Sequence, residues 1–131
     1  MQAFESLDST NNYLKKLAAE GAAEGTVVVA DKQTAGRGRM GRSFASAAGC
    51  GIYMSMLLRP ADCAPDCAQS LTAVCAVAVC RAVEKVCGRA PGIKWINDLY
   101  LRGKKICGIL CESSVKNGRV DYAVLGIGLN V

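Results

Sequence analysis

Along the first twenty residues, polar Ser9, Thr10 and Asn11 precede Tyr13, Leu14, Leu17 and Ala18. Those apolar positions recur at three- and four-residue spacing, and Gly21 follows them. This predicts a capped amphipathic helix of about three turns. TVVVA at 26–30 is a continuous β-branched run and predicts a buried strand. GIYMSMLL at 51–58 predicts a second, after a glycine-rich basic loop from about Lys32 to Gly49. Pro60 and Pro65 mark a connection. From about Asp66 to Val86 the pattern is helical and nearly all apolar, which predicts a core helix with Leu71, Val74, Cys75, Ala78 and Val79 on one side. Gly88 and Pro91 end it. Four short strands are predicted next: Ile93–Trp95, Leu99–Leu101, Lys105–Glu112 and Val120–Ile127. Arg102-Gly103 and Asn117-Gly118 are turn signals between them, the Asn-Gly pair being the stronger. Helices combined with hairpin-linked strands predict an α+β fold.

Composition narrows this to one domain over residues 1–131: hydrophobic residues make up 51% of the chain, enough for a real core. The net charge of +5 is modest but uneven. No acid occurs between Lys32 and Ala61, whereas Lys32, Arg37, Arg39, Arg42 and Arg59 are basic. Such a local positive field favours an anionic ligand, although a solvated loop would carry the same pattern. There is no histidine, so Ser-His and Cys-His nucleophilic catalysis are excluded. The eight cysteines show no paired C-x-x-C spacing, which argues against a zinc site. Cys75, Cys80, Cys107 and Cys111 sit in apolar runs as small hydrophobes; Cys63 and Cys67, flanking a proline-containing stretch, are the one pair of interest. Glu5 and Asp8 stand where a secretory leader would be apolar, and the apolar run Ala73–Cys80 is too short for a membrane. The expectation is a cytoplasmic protein that engages no membrane.

Four stretches carry chemistry. GRGRMGR (36–42) joins mobile backbone to forked cations suited to phosphate and carboxylate. KWINDLY (94–100) sets Lys94, Asn97 and Asp98 around the only tryptophan. KKICGIL (104–110) places a lysine pair before a glycine in an apolar strand, and GIGLN occupies 126–130. Each alone has an ordinary explanation: a flexible basic loop, an Asn-Asp turn, a strand-end lysine at Lys105, a bulge at Gly108, helix caps at Ser9 and Thr10.

Together, and in this order, they resemble the biotin protein ligases, whose pattern runs G-R-G-R-x-G-R, K-W-P-N-D-[LI], K-[LIV]-x-G-I-L and G-[IL]-G-[IL]-N, with D-S-T-N at Asp8–Asn11 matching as well. The resemblance covers essentially the whole chain. It implies a class II synthetase-like catalytic domain with a mixed, mostly antiparallel sheet packed against helices. It also implies a two-step reaction. The biotin carboxylate attacks the α-phosphate of ATP to give biotinyl-5′-adenylate, and a lysine of the biotin carboxyl carrier domain of acetyl-CoA carboxylase then takes the biotinyl group. Both reactants of the first step are anions, so charge neutralisation and alignment suffice without a protein nucleophile.

By the same resemblance, Ser9, Thr10, Asn11 and Gln33 belong with the biotin ring system. Gly36, Arg37, Gly38 and Arg39 form the loop over biotin and adenylate, Arg39 being the residue that most strongly retains the intermediate. Lys105 is the catalytic lysine, and Gly108 gives the ligand room. Asn97, Asp98 and Asn130 lie on the nucleotide side, Asp98 also as a helper for Mg2+. Phe44 takes the place of a tryptophan after the loop.

Ile96 departs from the family's proline, which loosens the approach to Asn97-Asp98 without removing a reacting group. The chain is expected to be incomplete. The later part of the catalytic domain, a small β-barrel domain and the DNA-binding domain of repressor-type members are all absent, and an exposed sheet edge or apolar face would invite a homodimer. Three alternatives stay open: a biotin-binding remnant without full turnover, an adenylating relative acting on lipoate or another short acid, and a nucleic-acid-binding Gly-Arg module. The last fits poorly, because such segments are longer, repeated and richer in aromatic residues.

Overall fold

In a computed structural model, which describes residues 1–61 and 63–131, seven strands form one sheet in the order β1-β2-β3-β7-β6-β5-β4. The strands are β1 (Gln2–Leu7), β2 (Val27–Gln33), β3 (Gly51–Leu58), β4 (Gly92–Lys94), β5 (Asp98–Leu101), β6 (Lys104–Lys116) and β7 (Arg119–Asn130). β1 runs parallel to β2; every other pairing is antiparallel. The sheet is therefore mixed and mostly antiparallel, as expected.

Two helices complete the described residues, and they lie on opposite faces of the sheet. Alternation along the strands sets this up, because successive side chains point to opposite sides. Leu57 and Val124 join Val28 beneath Leu14 and Ala18 of α1 (Thr10–Ala19). Their neighbours Met56 and Leu125 turn the other way. They pack with Leu99, Cys107 and Ile109 against Cys75 and Ala76 of α2 (Cys67–Cys87). Leu14 and Leu57 are wholly buried, each worth about 1.5–3 kcal/mol.

α1 starts as its sequence dictates. Ser9 is its cap, accepting a hydrogen bond from the Asn12 N–H at 3.4 Å, and Gly21 just beyond it has φ +92°. Both predicted hairpin turns hold two left-handed residues, Arg102-Gly103 (φ 51° and 75°) and Asn117-Gly118 (φ 53° and 74°), the backbone that suits the strand twist.

Three expectations need correction. β1 was not foreseen: only Phe4 and Leu7 are even half-buried, so the strand shows no alternation. β6 and β7 run past 105–112 and 120–127 in both directions, since a tight turn lets the hairpin continue in solvent. Finally, Val74 and Ala78 of α2 do not face the core. Val74 is 67% exposed, and the packed side runs through Thr72, Cys75, Ala76 and Val83. An almost uniformly apolar helix does not reveal which arc meets the sheet. Cys63 and Cys67 are joined as a disulfide.

Candidate functional site

Register alignment across the sheet creates a bare patch. Tyr53, Gly128, Gly108 and Asp98 lie side by side across β3, β7, β6 and β5, and Ser55, Gly126 and Leu110 form the adjacent row. Gly126 and Gly128 are two residues apart, so both face the α1 side, and Gly108 pairs with Gly128. The alternate glycines of GIGLN thus clear the sheet surface over two rows. A Cβ on Gly128 would lie 2.4 Å from Cε1 of Phe44, whose ring covers this patch. A Cβ on Gly126 would lie 2.2 Å from Oδ1 of Asn11.

A cleft opens above the patch, lined at one end by Ser9, Thr10, Asn11 and Gln33 and at the other by Arg39, Asn97 and Lys105. Its enclosed free space is about 50 Å3, well below the ~300–1,000 Å3 of small-molecule pockets. A ligand lying on Gly128 would displace the Phe44 ring.

The neutral end is a chain of hydrogen bonds. Ser55, fully buried, donates to Oδ1 of Asn11 at 2.6 Å and stands 2.8 Å from Oγ1 of Thr10. Its single proton goes to the shorter partner, which leaves Thr10 to donate to Ser55 or to Gln33. Oε1 of Gln33 accepts from the Thr10 N–H at 2.9 Å, and its Nε2 donates to Oγ of Ser46 at 2.8 Å. Ser46 in turn donates to the Phe44 carbonyl at 3.1 Å. The floor is thereby tied to the exit of the arginine loop.

That loop is a narrow hairpin-like excursion. The Gln33 N–H donates to the Ser46 carbonyl, Phe44 N–H to Gly36, and Gly38 N–H to Arg42, with a bridge between Arg37 and Ser43. A one-turn 3-10 segment, Arg39–Gly41, forms its tip, with Met40 left-handed (φ 55°) and exposed. Gly36 cannot carry a side chain, because its Cβ would meet the Phe44 carbonyl oxygen at 2.3 Å.

Charges gather at the other end. Nζ of Lys105 is 2.8 Å from Oδ1 of Asp98, which also accepts from Nδ2 of Asn97 at 3.0 Å. Nη1 of Arg39 donates to Oδ1 of Asn97 at 2.9 Å. The loop tip, the β4–β5 turn and the start of β6 thus meet through one chain of contacts. Outside the cleft, Oε1 of Glu112 meets Lys15 at 2.9 Å and Arg37 at 3.1 Å, and its Oε2 accepts from Nδ2 of Asn11 at 3.0 Å. Burial works to raise the Glu112 carboxyl, but the hydrogen bonds from Asn11 and Lys15 and the charges of Lys15 and Arg37 outweigh it and hold the group below its ordinary range. Asn12, donating to Asp8, likewise lowers the Asp8 carboxyl.

Among the described residues no cysteine lines the cleft. Burial pushes Cys107 up to about 12 and Cys75 up to about 11, so both stay protonated. Among the described residues no group of three metal-binding side chains occurs. The single carboxylate of Asp98 is a donor set that suits a magnesium ion brought in on phosphates, which keeps most of its own waters.

Of the residues singled out in the sequence, Ser9, Thr10, Asn11, Gln33, Arg37, Gly38, Arg39, Asn97, Lys105 and Gly108 line one cleft, and Asp98 stands behind Lys105. Gly36 belongs to the loop base, and Asn130 is exposed at the end of β7, away from the lining. Ser55 and Glu112 were missed. Ser55 had a signal, a serine in the middle of an apolar strand; Glu112 had none, since its partners are remote in sequence. The arrangement suits a molecule with a neutral hydrogen-bonding head and an anionic tail.

Comparison with known proteins gives the chain its family. The family model described as Biotin/lipoate A/B protein ligase family matches residues 3–130. The chain is 47% identical over 125 residues to the bifunctional ligase/repressor BirA of Bacillus subtilis (strain 168), covering 95% of this chain and 38% of that protein. It is 39% identical over 127 residues to the biotin--[acetyl-CoA-carboxylase] ligase of Mycobacterium tuberculosis, covering 94% of this chain and 46% of that one. Among solved structures, the biotin protein ligase of Leishmania major in complex with biotinyl-5-AMP superposes with a TM-score of 0.84 at 30% identity, over 99% of this chain and 56% of that chain. The biotin protein ligase of Aquifex aeolicus in complex with biotin and ATP gives 0.81 at 36% identity, over 98% and 51%. The chain therefore spans less than half the length of these curated relatives.

Proposed function

Because the chain belongs to the biotin/lipoate A/B protein ligase family, we propose that it binds biotin and ATP, joins them as biotinyl-5′-adenylate, and passes the biotinyl group to a lysine of a biotin carboxyl carrier domain. The observation that carries this reading is the cleft itself. Its neutral polar end (Ser9, Thr10, Asn11, Gln33) and cationic end (Arg39, Lys105) are joined by a glycine-cleared floor. The polar end suits an uncharged ureido ring, the floor an aliphatic chain, and the cations a carboxylate beside a phosphate.

In the first step a carboxylate oxygen of biotin bonds to the α-phosphorus of ATP, and the bond to the pyrophosphate oxygen breaks. Two anions must approach, so Lys105 lowers the barrier by standing between them. It first exchanges Asp98 for the ligand. Arg39, held by Asn97, covers the adenylate and keeps water from the mixed anhydride. Asp98 and Asn97 face the nucleotide; Asp98 would hold magnesium, which would neutralise charge on the phosphates. In the second step the neutral amine of the carrier lysine attacks the acyl carbon, the amine proton is lost to solvent, and AMP leaves. The name of a relative, biotin--[acetyl-CoA-carboxylase] ligase, supports that enzyme's carrier domain as the partner. A cytoplasmic location belongs to the same proposal.

Mass spectrometry after incubation with biotin, ATP and magnesium, beside a Lys105→Ala control, tests it. The expected result is a retained biotinyl-adenylate that the control lacks, and transfer to an added carrier domain. Adenylate without transfer would leave a half-reaction only. Biotin binding without adenylate would reduce the protein to a biotin binder, and no binding at all would sink the reading.

A further inference from the structure

The Glu112 carboxylate lies outside the cleft, yet it touches both halves of it. Oε2 accepts from Asn11, a floor residue that is 4% exposed. Oε1 faces Arg37, which belongs to the loop, and Lys15 on α1. Asn11 has one donor group and one acceptor. With its Nδ2 committed to Glu112 at 3.0 Å and, more weakly, to the Leu110 carbonyl at 3.4 Å, its Oδ1 must face inward, where Ser55 donates to it and Gly126 leaves it room. The shorter of the two bonds that orient the floor amide thus comes from outside the cleft. Arg37 is fixed at the same time: Nη1 reaches Glu112 and donates to Oδ1 of Asn12 at 2.8 Å. Hydrogen bonds from Asn11 and Lys15 and the charge of Arg37 converge on one carboxylate, and no neutral side chain of that shape can satisfy all three, because an amide would turn its own N–H groups toward a donor.

We propose that Glu112 is a positioning residue: it sets the inward face of Asn11 and anchors the arginine loop through Arg37, so that the floor and the loop are held in register with each other. It touches no reacting atom. The consequence for biotin rests on the function proposed above; the anchoring of the loop does not.

Trypsin reads the loop directly, since Arg37, Arg39 and Arg42 are its cleavage sites. In the native chain, Glu112→Gln should raise cleavage after Arg39 by about threefold or more relative to cleavage after Arg89, the change expected when a half-exposed charge pair is lost. Lys15→Met, which removes the other cation but leaves Arg37 paired, should leave that ratio unchanged. Arg37→Gln should reproduce the Glu112→Gln effect at Arg39, and the double variant should add little to either. An unchanged ratio in Glu112→Gln, additive effects in the double variant, or an equal rise at Arg39 and Arg89 would overturn the proposal. If Glu112→Gln fails to fold, the Arg37→Gln ratio decides alone: a rise supports the anchor, no change refutes it. The same digest with biotin and ATP separates the two claims. Absence of protection in the unaltered protein would count against the ligase reading and leave the Glu112 comparison standing.

Discussion

Gly126→Ala should be far more damaging than a single methyl suggests. The new Cβ would lie 2.2 Å from Oδ1 and 2.9 Å from Cγ of Asn11. Asn11 has no free direction in which to retreat. Its Nδ2 is bonded to Glu112, its Oδ1 receives the Ser55 proton, and both Asn11 and Ser55 are buried. Relief requires Asn11 to leave, which adds the cost of overpacking, about 1–3 kcal/mol, to that of losing its hydrogen bonds to Ser55 and Glu112, about 0.5–1.5 kcal/mol each. A loss near 3 kcal/mol, at an m-value of about 2 kcal/mol per molar, lowers the urea midpoint by about 1.5 M. Gly92→Ala is the matched control: the nearest atom to its Cβ is the Tyr100 carbonyl oxygen at 3.9 Å, so its midpoint should hold or rise slightly. In an Asn11→Ala background the Gly126→Ala penalty should shrink by about 1 kcal/mol or more. Equal midpoints for the two alanine variants, or an undiminished penalty without Asn11, would refute the reasoning.

Gly128→Ala meets the Phe44 ring at 2.4 Å, but that ring hangs from a loop and can swing out. Stability should fall by no more than about 1 kcal/mol, by urea titration, whereas biotin binding measured by calorimetry should be lost. The Glu112 carboxyl lies below its ordinary 4.5 in the folded chain, so its contribution is full above pH 4.5 and disappears as pH falls through the depressed value. Urea midpoints of the unaltered protein and Glu112→Gln should accordingly differ at pH 7 and converge in acid. Iodoacetamide at pH 8, followed by peptide mapping, should label exposed Cys50 and Cys87 and spare Cys75 and Cys107, whose titration near 11 and 12 leaves only about a thousandth or less as thiolate.

The sequence exposed what local physics decides. Ser9 as a cap, the three- and four-residue spacing of Leu14, Leu17 and Ala18, and the Asn117-Gly118 turn each act within a few residues, and all stand in the fold. The four motifs also converge on one cleft, because each lies at an element end that points to the α1 face. What stayed hidden depends on partners far along the chain. β1 exists because β2 offers it an edge, and its own residues give no periodic sign. The buried arc of α2 is chosen by the sheet, so an all-apolar stretch could not announce it. Glu112 gains its meaning from Asn11, Lys15 and Arg37, some 75 to 101 residues away.

The hairpin-like base of the arginine loop bears on the thermodynamics of closing over a ligand. Fixing a residue's backbone costs about 1–2 kcal/mol of conformational entropy. If all fourteen residues from Gln33 to Ser46 had to be ordered on binding, about 14–28 kcal/mol would oppose the ligand. The rungs at Gln33–Ser46, Gly36–Phe44, Arg37–Ser43 and Gly38–Arg42 are already formed, and the tip is itself a 3-10 turn, so at most Arg39–Gly41 has to be fixed further, at no more than about 3–6 kcal/mol. The unrunged tip is thus only as long as the catch it must make, and most of a ligand's contact energy is left to appear as affinity.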